Sequence, residues 1–245
     1  MSKKASKIGR LSLTEMKNLI NKKVGMSVAH DLTKENPTEV KQWIPTGSRY
    51  LDSIICRGQS AGIPVGKITE IAGLEGAGKS WMAAQVAVSA QKMDMDVVYF
   101  DSESAIDPGY LASLGVDLKR CLYVQATSVE MVLETIEELL GSNDGQMLFI
   151  WDSLALTPAV SNPWVTPGGK AMHYAYSLRI WLTGRKSKSS FIMDGDDRIG
   201  YQVQVKLEKS RFGTTGRRCS FNILFTGQSP GIQDEESWLN ALMGS

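Results

Sequence analysis

Apolar residues recur along this chain in two patterns, and these patterns predict the order of strands and helices. The runs 97–100, 121–124 and 147–151 are apolar throughout, which is typical of strands buried on both faces of a parallel sheet. A further strand is predicted at 67–72, and helices are predicted at 81–93 and behind a capping box at 127–130. Strands that alternate with helices from residue 44 to 151 predict an α/β fold with a mostly parallel central sheet and helices on both faces.

After residue 172 the pattern changes to strands joined by short turns. Strands are predicted at 174–182 and 221–225, and residues 201–208 alternate between apolar and polar, as in a half-exposed strand. We therefore expect an antiparallel extension of the sheet at its C-terminal end. Residues 237–243 are predicted to form a short terminal helix.

The N-terminal segment forms a separate small element in this prediction. Residues 12–15 form a capping box, one apolar face follows at helical spacing, and Gly25 closes the helix. A short helix cannot bury such a face by itself, so we expect it to pack on the body of the protein or on another subunit. The predicted division is an N-terminal helix and linker over 1–43, followed by a core over 44–245.

Composition and charge limit the kinds of protein that this chain could be. The chain has 245 residues, of which 42% are hydrophobic and 22% charged, and its formal net charge is +1. That balance is typical of a globular protein and does not by itself indicate a nucleic-acid partner. Three scattered cysteines and no apolar run of 18 residues predict a reduced, cytoplasmic protein with no membrane partner. His30 and His173 are too far apart in sequence to suggest a metal site.

One motif indicates a specific chemistry. The run Gly73-Leu74-Glu75-Gly76-Ala77-Gly78-Lys79-Ser80 fits G-x-x-x-x-G-K-[ST], between a predicted strand and a predicted helix. Glycines allow a tight turn whose N–H groups point at an anion, and the start of a helix adds its positive dipole end. Lys79 supplies a charge for the outer phosphates and Ser80 a hydroxyl for Mg²⁺. The motif predicts nucleotide binding.

Hydrolysis also needs carboxylates near the phosphates, and two predicted strands end in suitable ones. Asp152 follows the apolar run 147–151, from which it could reach Mg²⁺ through a water. Glu103 lies just past the end of the strand at 97–100, where it could orient and deprotonate an attacking water. Asp101 could serve in either role on sequence alone.

Further segments occur in an order that resembles the bacterial RecA recombinases. They are 45–48, 66–67, 101–110, 114–117, 152–153 and 166–171. Residues 200–205 and 208–211 are more similar to the bacteriophage branch of that family, the UvsX proteins. The resemblance covers roughly residues 40–235 and implies ATP and Mg²⁺ as cofactors.

The resemblance also implies roles for individual residues. Glu103 would be the catalytic carboxylate, with Lys79 and Ser80 at the phosphates and Asp152 on the Mg²⁺ side. Asp107 would contact the edge of the adenine, and Tyr110 would stack on the base, for which plain core packing is the alternative. Lys209 and Arg211 would act in trans on the ATP of the adjacent subunit, as an arginine finger does. The N-terminal helix would pack on a neighbouring subunit in a filament.

The chain departs from the family between Asp152 and Thr166, where it has only 13 residues. In the family this interval holds the first DNA-binding loop, a helix, a strand and most of the second loop, about 50 residues more by ordinary element sizes. The junction lies near 159–165. In the family, the missing strand lies between two others: the strand before the phosphate loop and the strand that ends in Asp152. Without it, the hydrogen-bond ladder of the sheet should either break at this point or close by direct pairing of those two strands.

What remains of the second loop offers Gly168, Gly169 and Lys170 as candidates for DNA binding. Arg185, Lys186 and Lys188 could add phosphate contacts, although a solvated turn explains such a cluster equally well. The leading hypothesis is an ATP-dependent recombination and repair protein that forms filaments on single-stranded DNA and hydrolyses ATP. The alternative is a RecA-like ATP-binding assembly module or regulator without strand exchange. A kinase or a hexameric helicase on the same fold is a third possibility.

Overall fold

The chain folds as two compact units, residues 1–41 and residues 42–245. The computed structural model describes residues 10–56, 61–104, 106–153, 175–184, 187–226 and 231–235. The predicted terminal helix at 237–243 and the predicted junction near 159–165 lie outside these ranges.

In the first unit, residues 10–41 contain one helix, α1 (Leu13–Val24), which begins at the predicted capping box. Ser12 Oγ accepts from the Glu15 N–H at 3.3 Å, and the Glu15 carboxylate accepts from the Ser12 N–H at 2.8 Å. Gly25 ends the helix with φ = 75°, a conformation that glycine adopts without a Cβ penalty. No residue of α1 is buried, and Leu13 is 78% exposed.

The second unit alternates strands and helices and then continues in strands, so the predicted α/β class is confirmed. Its elements are β1 (Trp43–Ile44), α2 (Arg49–Ile55), β2 (Ile63–Pro64), β3 (Thr69–Gly73), α3 (Lys79–Lys92), β4 (Asp96–Asp101), α4 (Pro108–Ser113), β5 (Cys121–Gln125), α5 (Val129–Ser142), β6 (Met147–Asp152), β7 (Leu178–Gly184), β8 (Phe191–Asp194), β9 (Asp197–Ser210), β10 (Arg218–Leu224) and β11 (Gly231–Gln233).

Several predicted boundaries differ from those of the structure by a few residues, and the start of β7 is one of them. The strand expected at 174–182 begins at Leu178, because its parallel partner β3 begins at Thr69, the residue opposite Leu178. Ser177 lies just before the ladder, and its N–H donates to the carbonyl oxygen of Ile68 at 2.9 Å.

The described strands form three sheets, of which the smallest is the antiparallel pair β1–β2. Three parallel strands form the second sheet, in the order β5–β4–β6. The side chains of β4 alternate between its two faces. Val97 and Tyr99 pack in a cluster with α3 and α4, whereas Val98 and Phe100 pack against α5. Helices therefore cover both faces of this sheet, as the fully apolar run predicts.

The larger sheet runs β11–β10–β9–β7–β3, and β8 pairs with β9. Only β3 and β7 are parallel among its pairs, so the predicted antiparallel extension is present. Its largest core cluster combines the inward residues of β7, β9 and β10 with the apolar faces of α2 and α3.

The strand before the phosphate loop, β3, and the strand that ends in Asp152, β6, belong to different sheets. Among the described residues no strand joins them, which is one of the two outcomes expected. Every residue of β3 and β6 is only half-buried, although β4 and β7 each bury five consecutive positions. Side chains join the sheets instead, since Trp81 and Leu148 pack against two of the core clusters.

Candidate nucleotide-binding site

The phosphate loop connects β3 to α3, in the strand–loop–helix context that the motif requires. Gly78 is the N-cap of α3 with φ = 94°, and its carbonyl oxygen accepts from the Met82 N–H at 2.9 Å. Gly76 also has a positive φ, of 71°. These conformations turn the backbone tightly at the N-terminus of a 14-residue helix, where the unpaired N–H groups and the helix dipole favour an anion.

Two of the loop glycines also lie where a side chain would collide with neighbouring atoms. A Cβ on Gly73 would lie 2.4 Å from the backbone oxygen of Leu182, and one on Gly78 would lie 2.4 Å from Ile223 Cδ1. The Tyr201 hydroxyl donates to the carbonyl oxygen of Gly76 at 3.2 Å. The loop therefore rests directly on the antiparallel strands, a contact that the motif itself does not reveal.

Lys79 lies at the first position of α3 and folds back over its own loop. Its Nζ donates to the carbonyl oxygens of Gly73 at 3.2 Å and Leu74 at 3.0 Å. A lysine held by two main-chain oxygens has only neutral partners, which an anionic phosphate would outcompete.

A pocket beside the loop brings together residues from four elements or their ends. Its lining consists of Ser80, Tyr99, Asp101, Glu103, Ile106, Tyr110 and Asp152. Four of these, Ser80, Glu103, Tyr110 and Asp152, are predicted site residues. The carboxyl ends of parallel strands converge at the same edge of a sheet, which explains why Asp101, Glu103 and Asp152 meet here.

Asp152 receives a hydrogen bond from a buried tyrosine on the neighbouring strand. The Tyr99 hydroxyl donates to Asp152 Oδ2 at 3.0 Å. Burial raises the pKa of Tyr99, and the Asp152 charge raises it further, so the hydroxyl stays protonated and remains a donor. The bond fixes the orientation of the carboxylate and leaves its other oxygen able to accept.

The structure gives Asp101 a role different from the two that the sequence left open for it. This side chain is 1% exposed and holds the following loop. Its carboxylate accepts from the N–H groups of Glu103 at 2.9 Å and Ile106 at 3.0 Å, and from the Tyr123 hydroxyl at 3.2 Å. These bonds occupy both carboxylate oxygens of Asp101 and give the side chain a structural role.

Glu103 is exposed, and a serine at the end of the adjacent strand positions it. Ser153 Oγ donates to Glu103 Oε1 at 2.6 Å. Ser102 Oγ donates to the carbonyl oxygen of Ser153 at 2.6 Å and accepts from its N–H at 3.0 Å. The loops after β4 and β6 are thereby joined next to the pocket.

Asp107 and Tyr110 lie at the start of α4. Asp107 is its N-cap, and its carboxylate accepts from the N–H groups of Gly109 at 3.1 Å and Tyr110 at 3.2 Å. The Tyr110 ring meets Trp81 edge-on, with centroids 5.5 Å apart. Burial raises the pKa of Tyr110 to about 12, so its phenol stays neutral.

Sequence reasoning missed an aromatic cluster around this pocket. Trp81 packs against Phe225 at 5.6 Å, and Phe225 packs against Tyr201 at 5.5 Å. The signal available in the sequence was the position of Trp81 immediately after Ser80. Nothing in the sequence indicates that Phe225, just after β10, belongs to this cluster, because only the order of strands in the sheet brings it near α3.

Lys209 and Arg211 are not part of this constellation. Lys209 lies opposite Arg179, near the C-terminal end of β9. Tyr201, whose hydroxyl contacts the phosphate loop, lies nearer the other end of the same strand. The eight residue steps between Tyr201 and Lys209 correspond to about 26 Å of strand. In the register of the sheet, Lys209 lies across β7 from Glu70, three residues before Gly73, so the basic pair lies beside the start of β3, whereas the phosphate loop follows the end of β3.

The remaining predicted residues have the following positions. Gly168, Gly169 and Lys170 lie outside the described residues, as do Arg185 and Lys186, whereas Lys188 is exposed on a single 3₁₀ turn before β8. Among the described residues, no group of three or more acidic, histidine or cysteine side chains could hold a metal ion, and no helix could span a membrane. The Ser80 hydroxyl and the Asp152 carboxylate share the pocket and are the oxygen ligands that Mg²⁺ prefers.

Comparisons with known proteins agree with this geometry. The RecA N-terminal domain matches residues 12–161. Protein RecA of Symbiobacterium thermophilum is 30% identical over 248 residues, covering 80% of this chain and 68% of that protein. Protein RecA of Aquifex aeolicus is 27% identical and covers 84% of this chain and 72% of that protein. The mitochondrial DNA repair protein recA homolog of Dictyostelium discoideum is 27% identical, with 84% of this chain and 55% of that protein covered.

A likeness of fold extends to a solved structure. The crystal structure of the RadB recombinase has a TM-score of 0.54 to this chain at 16% sequence identity, covering 79% of this chain and all of that one. Fold and site together define a P-loop α/β protein with carboxylates at adjoining strand ends. The matched domain and the relatives identify its family within this class: the chain belongs to the RecA family.

Proposed function

We propose that this protein is an ATP-dependent recombination and repair protein that forms filaments on single-stranded DNA and hydrolyses ATP with Mg²⁺. The observation that carries the proposal is the convergence of Ser80, Glu103 and Asp152 on one pocket beside the phosphate loop. Its relatives are named as RecA proteins and as a DNA repair protein, which supports the same role for this chain. For its location we propose the cytoplasm of a bacterial or phage-infected cell.

The residues of the pocket divide the chemistry between them. The N–H groups at the start of α3 and Lys79 would bind the phosphates, and Ser80 and Asp152 would hold Mg²⁺, which compensates charge on the outer phosphates. Glu103, oriented by Ser153, would accept a proton from the attacking water. Tyr110 would contact the base, with Asp107 beside it at the start of α4.

Lys209 and Arg211 would complete the site of a neighbouring copy. They lie beside the start of β3, away from the phosphate loop that follows its end, and a site between subunits would give them a nucleotide to reach. Positive charge delivered across an interface stabilises the charge of the transferring phosphoryl group. Assembly and hydrolysis would then depend on each other, since ATP bound between copies favours the assembled state.

The shortened DNA-binding region belongs to this proposal as well. Aligned regions of 248, 256 and 276 residues are longer than the whole chain of 245, although they cover only 80%, 84% and 92% of it. This excess supports an internal gap in the chain relative to bacterial RecA proteins, which we expect between Asp152 and Thr166. The UvsX-like branch is proposed from the similarity of residues 200–205 and 208–211. Gly168, Gly169 and Lys170 would then provide what remains of the second DNA-binding loop.

The test measures phosphate release from ATP with and without single-stranded DNA, with Lys79→Ala as the inactive control. We expect DNA to raise turnover in the unmodified protein and no turnover in the variant, because the variant lacks the charge that binds the outer phosphates. ATP binding without any response to DNA would replace the proposal with the assembly-module alternative. Phosphate transferred to an acceptor other than water would replace it with a kinase.

A second experiment tests the role in trans. Lys209→Ala and Glu103→Gln proteins are each expected to be inactive, because one lacks the donated charge and the other its own catalytic carboxylate. Mixed, they form interfaces at which the Lys209→Ala copy keeps Glu103 and receives Lys209 from its neighbour. Turnover should reappear on mixing, and its absence at every ratio would show that the basic pair does not act across an interface.

A further inference from the structure

A buried ion pair joins the strand that enters the phosphate loop to the strand beside it. Arg179 Nε lies 2.7 Å from Glu70 Oε2, and the side chains are only 9% and 11% exposed. Glu70 and Arg179 are opposite each other in the β3–β7 ladder. Glu70 stands three residues before Gly73, the first residue of the phosphate loop. Burying two charges carries a desolvation cost that a pair of apolar residues would avoid, so stability alone explains this pair poorly.

The row of charges continues onto the next strand. Arg179 lies opposite Lys209 in the β7–β9 ladder, so Glu70, Arg179 and Lys209 follow one another across three adjacent strands on one face. Lys209 Nζ lies 5.1 Å from the ring centroid of Tyr176, a side chain that is 1% exposed. This ring gives the ammonium group a rigid, electron-rich surface to rest on.

The charges of this row depend on one another. Partial burial lowers the pKa of Lys209 and the Arg211 charge lowers it further, whereas the Glu70 charge raises it. Like charges that lie directly opposite each other in a ladder repel. Arg179 and Lys209 can remain neighbours because the Glu70 carboxylate neutralises the charge of Arg179. Arg211 follows at the end of the strand, where its N–H donates to the carbonyl oxygen of Ser177 at 3.0 Å.

We propose that Glu70 and Arg179 are positioning residues that hold Lys209 and Arg211 in the orientation that reaches the nucleotide of a neighbouring copy. This inference rests on the proposed function in trans. Because Glu70 belongs to the strand that leads into the phosphate loop, the row also connects the nucleotide of one copy with the charge that this copy delivers to the next.

The decisive variant is Glu70→Gln, which keeps the shape of the side chain and removes its charge. Alone, it should lose about tenfold to a hundredfold in turnover, a part of what a missing arginine finger costs. Its affinity for ATP should stay unchanged, because its own phosphate loop and carboxylates are intact. Mixed with Glu103→Gln protein it should regain turnover, since its own site then receives Lys209 and Arg211 from a copy with an intact Glu70. Absence of rescue would place the effect of Glu70 inside its own site and overturn the inference.

Two further variants keep the test informative. Glu208→Gln is the matched control, because Glu208 forms a more exposed ion pair with Lys206 on β9, at 2.6 Å, and its loss should leave turnover unchanged. Glu70→Asp covers the case in which Glu70→Gln does not fold, since it keeps the charge and only withdraws it from Arg179. It should show a smaller loss of turnover that mixing with Glu103→Gln also restores.

One readout does not depend on activity. Acylation of lysines in dilute, nucleotide-free protein, followed by mass spectrometry, reports the neutral fraction of Lys209 with Lys206 as internal reference. Glu70→Gln should speed acylation of Lys209, because loss of the carboxylate lowers the pKa of its amine. If Glu70→Gln leaves the acylation rate of Lys209 unchanged, the inference is overturned, even if mixing Lys209→Ala with Glu103→Gln protein restores turnover. If the acylation rate changes but that mixture restores no turnover, the result instead counts against the role of Lys209 in trans.

Discussion

Ser153 Oγ donates a hydrogen bond of 2.6 Å to Glu103 Oε1, across fifty residues of sequence. The two residues follow the ends of β6 and β4, which are paired in parallel with Asp152 opposite Asp101. A second pair of bonds, between Ser102 Oγ and the backbone of Ser153, joins the same two loops. The proposed base of the reaction is therefore oriented by the strand that carries the proposed Mg²⁺ carboxylate.

Glu103→Gln is expected to bind ATP as the unmodified protein does and to hydrolyse it about 10²- to 10⁴-fold more slowly, the usual contribution of a general base. The amide has nearly the same shape but does not accept the proton of water. Calorimetry would measure ATP affinity and phosphate release would measure turnover. Glu130→Gln, at the exposed start of α5, is the matched control and should be silent. Normal turnover in Glu103→Gln would refute the assignment.

Ser153→Ala should reduce turnover less than Glu103→Gln, by about fivefold to tenfold, because a single hydrogen bond contributes about 1 kcal/mol. The carboxylate remains and only its orientation is lost, so the defect should lie in kcat while KM stays unchanged. Steady-state kinetics would separate the two constants, with Ser142→Ala on α5 as a control. Equal losses in Ser153→Ala and Glu103→Gln would mean that Ser153 does more than orient its partner.

Gly78→Ala should destabilise the protein and abolish ATP binding. Its Cβ would lie 2.4 Å from Ile223 Cδ1, and φ = 94° is unfavourable for alanine. Gly76→Ala is the control, since φ = 71° is also positive but no atom lies within 4 Å of its Cβ. We expect about 1 kcal/mol for Gly76→Ala from the backbone alone, and about 2–4 kcal/mol for Gly78→Ala. Urea unfolding measures both, and equal values would show that packing against β10 is unimportant.

Tyr110→Ala should weaken ATP binding by up to about tenfold, since an aromatic contact contributes about 0.5–1.5 kcal/mol. Tyr110→Phe keeps the ring and should bind ATP normally. Inorganic triphosphate has no base, so its affinity should be the same in all three proteins. Calorimetric titration with both ligands tests this, and a parallel loss of triphosphate binding would assign Tyr110 to core packing instead of base contact.

Asp52 should make the stability of the fold depend on pH. Burial raises the pKa of Asp52 to about 7, with a further contribution from the Asp234 charge, against hydrogen bonds from the Thr46 N–H and hydroxyl. Between about pH 4 and 7 the folded protein therefore binds a proton that the unfolded chain has released. Stability contributed by this group is present at low pH and falls by about 1.4 kcal/mol for each pH unit as the pH rises through this interval.

Asp52→Asn tests this directly, because the asparagine oxygen can still accept from Thr46 and no charge is buried. The free energy of unfolding in urea, measured from pH 5 to pH 8, should fall in the unmodified protein relative to the variant. Parallel curves for the two proteins would contradict the raised pKa of Asp52.

The phosphate loop, the two strand-end carboxylates and the antiparallel extension could be predicted from sequence because each leaves a local pattern. Glycine spacing specifies the turn around Lys79, and an apolar run followed by an acid marks the strand ends at Asp101 and Asp152. The contact of Tyr201 with Gly76 and the aromatic cluster around Trp81 leave no such pattern. Both depend on which strands pair, and pairing brings together residues that are far apart in the chain.

The sequence by itself determined the chemistry available: a loop that can cradle phosphates, oxygen ligands for Mg²⁺ and a basic pair on a late strand. Those features follow from local backbone conformation and side-chain type, which a few consecutive residues specify. The tertiary structure decided which groups meet. It assigned Asp101 to holding a loop and Glu103 to the pocket, placed Lys209 beside the start of β3 instead of its end, and left β3 and β6 in separate sheets. These outcomes depend on strand order and register, which packing of the whole core selects.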